Sequence, residues 1–530
     1  MKKLGHYLIE ALAGYGVREV FGIPGVHNLE LYRGLAGGPI RHTTGRHEQG
    51  LGFMADGYAR VSGRPGVCFT ITGPGLTNIA TAMGQAYGDS IPLLVISSQN
   101  RKGEAGSGRG FLHELPDQHA LAGQVSAAAF AVRSPAELPP ALERAFAIFG
   151  SERPRPVYIE IGLDVLAADA SGLPSPGPVQ RPSMPDAVVL DEAAARLRTA
   201  RKAVVLAGGG AVRAAPDLRR LVEHLGAPLV MTSNARGLLP PEHPLAVPLS
   251  PSLMPVRALI AEADCVLAVA TELGPTDYDM YGVSEFPNPA GLIRIDIDPQ
   301  QLRRSATPEL PVCGDAGTTL RALLDRDLGP ARPTLGVADA ARTRSAALAA
   351  LTPVMQRQIG LLERMRSVLP NAIMVGDSTQ LVYAGNLGFA AASPGAWFNS
   401  ATGYGTLGYA LPAATGAGIA APDRPVLCLV GDGGIQFSLG ELAVPRETDA
   451  WLALVIWNNY GFGEIKSAMI AAGITPEGVD VSPPDFRQLA RAYGYGYRMI
   501  DSIASLEEAL TAFAAKRQVV MLELRAAAFP

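Results

Sequence analysis

The sequence is poor in several features that would each announce a kind of protein. Its four cysteines, Cys68, Cys265, Cys313 and Cys428, stand far apart with no CxxC spacing. Neither a disulfide framework nor a thiolate zinc site is therefore expected, and buried free thiols are. Positive charge is not in surplus: 45 Lys and Arg against 49 Asp and Glu leave a net charge of −4. That offers no footprint for nucleic acid or an anionic membrane. No uninterrupted apolar run is long enough to span a bilayer. Lys2 and Lys3 precede apolar residues, as in an export signal, but His6, Glu10, Arg18 and Glu19 break them at helical spacing. The N-terminus reads as an amphipathic helix, and a cytoplasmic location is expected. Tandem repeats are absent as well.

What is present is an apolar, moderately charged chain of 530 residues, long enough for about three domains. Its most informative stretch runs from Pro425 to Lys466. The apolar run Val426–Val430 reads as a buried parallel strand and stops at Gly431-Asp432-Gly433-Gly434. An amphipathic helix is expected over 437–447, then a second strand from Trp451 to Trp457 that ends in Asn458-Asn459. Strand, loop, helix and strand with polar residues at both strand ends form the usual ligand crevice of an open α/β sheet. Glycines there let backbone N–H groups approach a phosphate. Asp432 and Asn459 carry hard oxygens suited to Mg²⁺. A turn followed by an unrelated Asn pair is the plainer reading of the same residues.

The spacing resembles the thiamine-diphosphate motif, which opens with Gly-Asp-Gly and closes with Asn-Asn a little under thirty residues later. Other stretches resemble the decarboxylase and acetolactate-synthase superfamily of thiamine-diphosphate enzymes. They are GIPG at 22–25, RHEQG at 46–50, ADGYAR at 55–60 and TGPGLTN at 72–78. The resemblance runs the length of the chain and implies an α/β protein of three doubly wound parallel-sheet domains. These are a pyrimidine-binding domain at 1–167, a central Rossmann-like domain at 186–330 and a diphosphate-binding domain at 340–530. A serine-, glycine- and proline-rich linker is expected at 168–185 and a second linker at 329–339.

Glu48, where a strand turns into a helix, reads on its own as a cap or a helix-dipole partner. The resemblance makes it catalytic: the matching Glu hydrogen-bonds N1′ of the aminopyrimidine and favours the tautomer that deprotonates thiazolium C2. The same resemblance implies cofactor contacts at Gly25, Gly75, Gly431, Asp432, Gly433, Gly434, Asn459 and Gly461, with Asp432, Asn459 and Gly461 as the metal set. In GYGTLG, residues 403–408, the Gly405 carbonyl would accept from N4′ and Leu407 would hold the cofactor bent; a core leucine is the alternative. Asp377 and Ser378, at the end of the strand Ile373–Val375, stand either for diphosphate contacts or for a helix cap. The loop 100–118 is glycine-rich and aperiodic. Its His113 is either solvated or, by the likeness, a working catalytic histidine.

The central GGGAVR, residues 208–213, has Arg213 where the dinucleotide fingerprint needs its last glycine. A NAD(P)-dependent oxidoreductase is the reading from a different class. By resemblance the central domain binds nothing, FAD or a nucleotide, and the sequence does not decide among them. The expected activity is decarboxylation of a 2-oxo acid to an aldehyde, with acetolactate-type carboligation as the alternative. Glu48 argues against a non-catalytic relative. Glu114, Asp117 and Glu464 are carboxylates expected to face the pocket, which suits a cationic substrate such as 5-guanidino-2-oxopentanoate. For Glu464, pairing with Lys466 or Arg487 is the competing expectation. The resemblance also implies a homodimer or homotetramer with sites between subunits, and no nucleic-acid or membrane partner.

Overall fold

In a computed structural model the described residues form three six-stranded sheets, with parallel pairing throughout the sheets. The structure describes residues 2–180, 182, 184–278 and 289–529. The expected linker at 168–185 and central domain at 186–330 each include positions outside that set.

The first sheet holds β1 (Glu19–Gly22), β2 (Arg41–Thr44), β3 (Gly66–Thr70), β4 (Leu93–Gln99), β5 (Ala128–Val132) and β6 (Val157–Gly162), in the order β2-β1-β3-β4-β6-β5. The central sheet holds β7 (Ala203–Ala207), β8 (Leu229–Met231), β9 (Ala246–Val247), β10 (Cys265–Val269), β11 (Leu292–Asp296) and β12 (Leu310–Cys313). Its order, β12-β11-β10-β7-β8-β9, is that of a doubly wound dinucleotide fold. The third sheet holds β13 (Ile373–Gly376), β14 (Trp397–Asn399), β15 (Val426–Gly431), β16 (Leu452–Asn458), β17 (Gly496–Ile500) and β18 (Val519–Arg525), in the order β14-β13-β15-β16-β18-β17. Counted from each unit's own first strand, the first and third sheets have the same order.

The inner strands are apolar because helices cover both faces; every residue of β3 and β16 is buried. The first and third units share one hydrophobic core. The helix Glu48–Ser62 crosses the helix Ala410–Ala420 there, backbone against backbone. A Cβ on Gly57 would lie 2.0 Å from the Ala413 carbonyl oxygen, and one on Gly416 would lie 1.9 Å from that of Met54. All three units meet at Asp89. It accepts from Arg60 (2.6 Å), Gln85 (2.9 Å), Asn234 (3.1 Å) and Thr402 (3.0 Å).

Two expectations about elements need correction. The helix expected at 437–447 is instead a 3₁₀ segment, Gly434–Ala443, broken at Ser438, followed by the short helix Val444–Glu447. Glycines at 434 and 440 and Pro445 weaken a continuous α-helix, and Glu441 is drawn into a contact with the first unit. The helix Val337–Ala349 also begins inside the expected linker at 329–339.

Candidate active site

The third sheet sets the first half of the site. β15 and β16 pair in register, Gly431 beside Trp457, so Asp432 and Asn459 emerge side by side. Asp432 is fully buried. Burial pushes its carboxyl up, and the N–H groups of Asn459 and Gly461, at 3.3 and 3.0 Å, pull it back. The amide oxygen of Asn459 faces the Gly461 carbonyl oxygen at 2.7 Å and Asp432 Oδ1 at 3.1 Å, with no proton between them. Rotating the amide would supply a donor. In the orientation described, three hard oxygens converge at separations near the roughly 3 Å edge of an octahedral Mg²⁺ shell. The set therefore fits a divalent ion. Among the described residues no cluster of three or more His, Cys, Asp or Glu offers another metal site.

The turn 403–408 borders this half. Gly405 has a left-handed φ of 74°, is exposed, and has open space where a side chain would stand. Leu407 is half-buried and lies outside the core clusters of the described residues. Gln85 of the first unit accepts from Tyr404 N (3.2 Å) and Thr406 Oγ1 (3.3 Å), and Asp377 Oδ2 accepts from Gly408 N at 2.7 Å. Asp377 is fully buried, and burial raises it to about 6. Its other oxygen takes the N–H of Ser378 at 2.7 Å. Its side chain therefore anchors the turn. Ser378 itself is half-buried beside it.

The first sheet supplies the other elements. Glu48 opens its helix with Oε2 held by Asn78 Nδ2 at 2.9 Å. Gly25 and Gly75 both pack on Ile71. His113, at a left-handed φ of 62°, stacks edge-on against His27 with ring centroids 4.9 Å apart. Both Nδ1 atoms are sealed from solvent without a hydrogen-bond partner among the described residues. Burial first, then the neighbouring His113, lowers the pKa of His27. His27 was not singled out from the sequence, because nothing local marks a lone histidine after a GIPG turn.

Two of the three expected substrate carboxylates are engaged locally. Glu114 ties its own loop, accepting from Ser107 Oγ and the N–H groups of Gly108, Gly110 and Phe111 at 2.7–3.1 Å. Asp117 caps the helix Gln118–Gly123 through Ala120 N at 2.8 Å. Glu464 is different. It is exposed on the rim of a cavity of about 570 Å³ whose wall includes Gln358, Gln380, Tyr383 and Thr276. Gln380 connects this cavity to Asn459 at 3.3 Å. Lys466 pairs with Asp480 at 2.8 Å and Arg487 stacks on Tyr497, both in place of Glu464.

Two parallel sheets of one topology, with glycine-rich strand ends and converging oxygens, define an α/β enzyme built for a phosphate-bearing cofactor. Comparison with known families is specific. Residues 2–121 match the thiamine pyrophosphate enzyme N-terminal TPP-binding domain, 190–323 the central domain, and 377–524 the C-terminal TPP-binding domain. The chain belongs to the thiamine pyrophosphate enzyme family and depends on that cofactor, thiamine diphosphate. It is 48% identical over 526 residues to a Pseudomonas aeruginosa protein named "Probable 2-ketoarginine decarboxylase AruI", covering 98% of this chain and 93% of that one. It is 31% identical over 468 residues to the acetolactate synthase isozyme 1 large subunit of Escherichia coli, covering 86% and 82%. Arg213, in place of the dinucleotide glycine, donates to the Gly63 carbonyl and ties the central unit to the first.

Proposed function

We propose that the protein decarboxylates 5-guanidino-2-oxopentanoate, the 2-oxo acid of arginine, to 4-guanidinobutanal and CO₂. The carboxylate leaves as CO₂ and one proton is taken up at the carbonyl carbon. Thiamine diphosphate supplies a carbon nucleophile and an electron sink for this chemistry. Glu48 would share a proton with the pyrimidine N1′, its carboxylate steadied by Asn78. Asp432, Asn459 and Gly461 would hold Mg²⁺ against the diphosphate, beside Gly431, Gly433 and Gly434. The Gly405 carbonyl and Leu407 would fix the bend between the rings, and His113, with His27, would face the reacting end.

The observation that carries the substrate assignment is near-full-length similarity to a protein named for that reaction. Glu464 on the cavity rim supports it. A guanidinium offers a bidentate partner that an ammonium cannot copy. Once substrate excludes water, the pair contributes about 1.5–3 kcal/mol, about a tenfold to hundredfold preference over a neutral analogue. The acetolactate synthase relatives favour carboligation as the second reading, which differs in product, a 2-hydroxyketone instead of an aldehyde. Comparing products and rates for wild type and Glu464→Gln across cationic and neutral 2-oxo acids tests both. An unchanged preference in Glu464→Gln removes that residue's role alone.

The assembly proposed is a homodimer or a pair of dimers. The helix Gly463–Ala471 buries none of its residues within the chain, yet exposes Ile465 and Ile470, with Tyr460 and Ile474 beside it. Val26, Leu29 and Leu112 are exposed on the first unit near His27 and His113. A second copy would cover such surfaces.

A further inference from the structure

Glu441 was not singled out from the sequence, and the reaction proposed above does not use it. Its side chain is 2% exposed, and it lies in the third unit. Its carboxylate reaches the first unit and accepts three close N–H contacts: Arg46 N at 3.0 Å to Oε1 and 3.2 Å to Oε2, and His47 N at 2.9 Å to Oε1. Those N–H groups belong to the two residues before Glu48, at a helix start, where donors lack intrahelical partners and the dipole is positive. Burial pushes Glu441 up, while the Arg46 and His47 N–H groups hold it down.

The helix is shaped to admit this carboxylate. A Cβ on Gly50 would lie 2.4 Å from Glu441 Oε1. The Arg46 side chain adds an ion pair to Glu447, from the same stretch as Glu441. Glu48 thus follows two residues whose N–H groups Glu441 holds, and its own Oε2 is held by Asn78.

We propose that Glu441 is a positioning residue for Glu48, gripping the start of the helix so that the Glu48 carboxylate is aimed at the cofactor. The proposal rests on the reading of Glu48 as the carboxylate that meets the pyrimidine. Glu441 lies near the end of the ten-residue segment Gly434–Ala443, which begins two residues after Asp432. One short stretch therefore connects the metal end of the third unit to the Glu48 helix.

The test is a double-mutant cycle on the assembled enzyme with thiamine diphosphate and Mg²⁺, using Glu441→Gln, Glu48→Gln and the double variant. It reads kcat, KM and the dissociation constant of thiamine diphosphate, beside Tm. The carboxamide keeps the volume of Glu441 but turns an N–H toward the Arg46 or His47 N–H. Glu441→Gln should lower kcat about thirtyfold through misplacement of Glu48, leave KM within about threefold, and weaken cofactor binding as Glu48→Gln does. The double variant should be no worse than Glu48→Gln in kcat and cofactor affinity. Losses that multiply, or a wild-type kcat in Glu441→Gln, overturn the proposal. A fully active Glu48→Gln overturns the reading of Glu48 and this inference with it. Should Glu441→Gln not fold, Glu441→Asp keeps the charge and withdraws it by one methylene. Its loss in kcat, about tenfold, must vanish in the Glu48→Gln background, and a persisting loss overturns the proposal.

Discussion

The N–H of Asn459 donates to Asp432 Oδ1 at 3.3 Å across 27 residues of sequence. β15 and β16 lie side by side in parallel, so both residues sit at one end of the sheet. The same carboxylate takes Gly461 N, and the Asn459 amide oxygen turns toward the Gly461 carbonyl. A cation, a rotated amide or a proton on Asp432, whose carboxyl burial pushes up, would satisfy oxygens so close together.

The proposed metal set predicts metal dependence. Chelation should release thiamine diphosphate from the wild-type protein, and added Mg²⁺ should restore its retention on gel filtration. Asp432→Ala should retain no cofactor at any Mg²⁺ level, since it also strips acceptors from two backbone N–H groups. Full activity of exhaustively stripped and chelated protein would contradict the metal assignment.

Subunit exchange tests the proposed assembly. Glu48→Gln and Asp432→Ala are each expected to keep only a small, measurable residue of the wild-type activity. Mixed under conditions that exchange subunits, they should recover part of the activity, because one kind of interface would join an intact Glu48 to an intact Asp432. A fully active monomer by light scattering would exclude sites shared between chains.

The three-unit junction should be costly to break. Arg60 is paired with Asp56 and Asp89 at 2.6 Å each, and all three side chains are nearly or fully shielded from water. Arg60→Met leaves two buried carboxylates facing each other and should cost about 3–5 kcal/mol. Chemical denaturation measures the loss. A cost under about 1 kcal/mol, typical of a surface pair, would show that the junction contributes little.

Asp377 gives a stability change with pH whose sign is fixed. Burial raises its folded pKa from 3.8 to about 6, so between those values the folded state holds a proton that the unfolded state has lost. Unfolding then releases a proton, and this carboxyl's contribution to stability falls as pH rises from 4 to 6. Asp377→Asn cannot ionise. The Tm difference between wild type and variant, taken as wild type minus Asp377→Asn, should shrink across that window and level off above it. A difference that grows with pH would contradict the raised pKa.

The residues that were legible in the sequence are those whose chemistry is local. Gly431-Asp432-Gly433 and Asn458-Asn459 end apolar runs, and a parallel sheet brings strand ends together whatever lies between. Glu441 was not legible, because its partners are backbone N–H groups 394 and 395 residues away, which leave no mark in side-chain pattern. Glu114 and Asp117 show the converse, with partners close by in sequence. A carboxylate within a glycine-rich loop finds N–H groups within a few residues and is used up there. The helix expected at 437–447 failed because its apolar spacing outweighed the glycines that let the segment bend. The common strand order of the first and third sheets is fixed by how the strands cross over, which leaves no repeated sequence.

The most direct test is to give the purified protein, with thiamine diphosphate and Mg²⁺, four acids in parallel: 5-guanidino-2-oxopentanoate, pyruvate, benzoylformate and a branched-chain 2-oxo acid. CO₂ release and product identity are read together. The account predicts 4-guanidinobutanal and CO₂ in equal amounts, with kcat/KM for the guanidino acid at least about tenfold above every neutral acid. Preference for a neutral acid, or a 2-hydroxyketone as the main product, would contradict it.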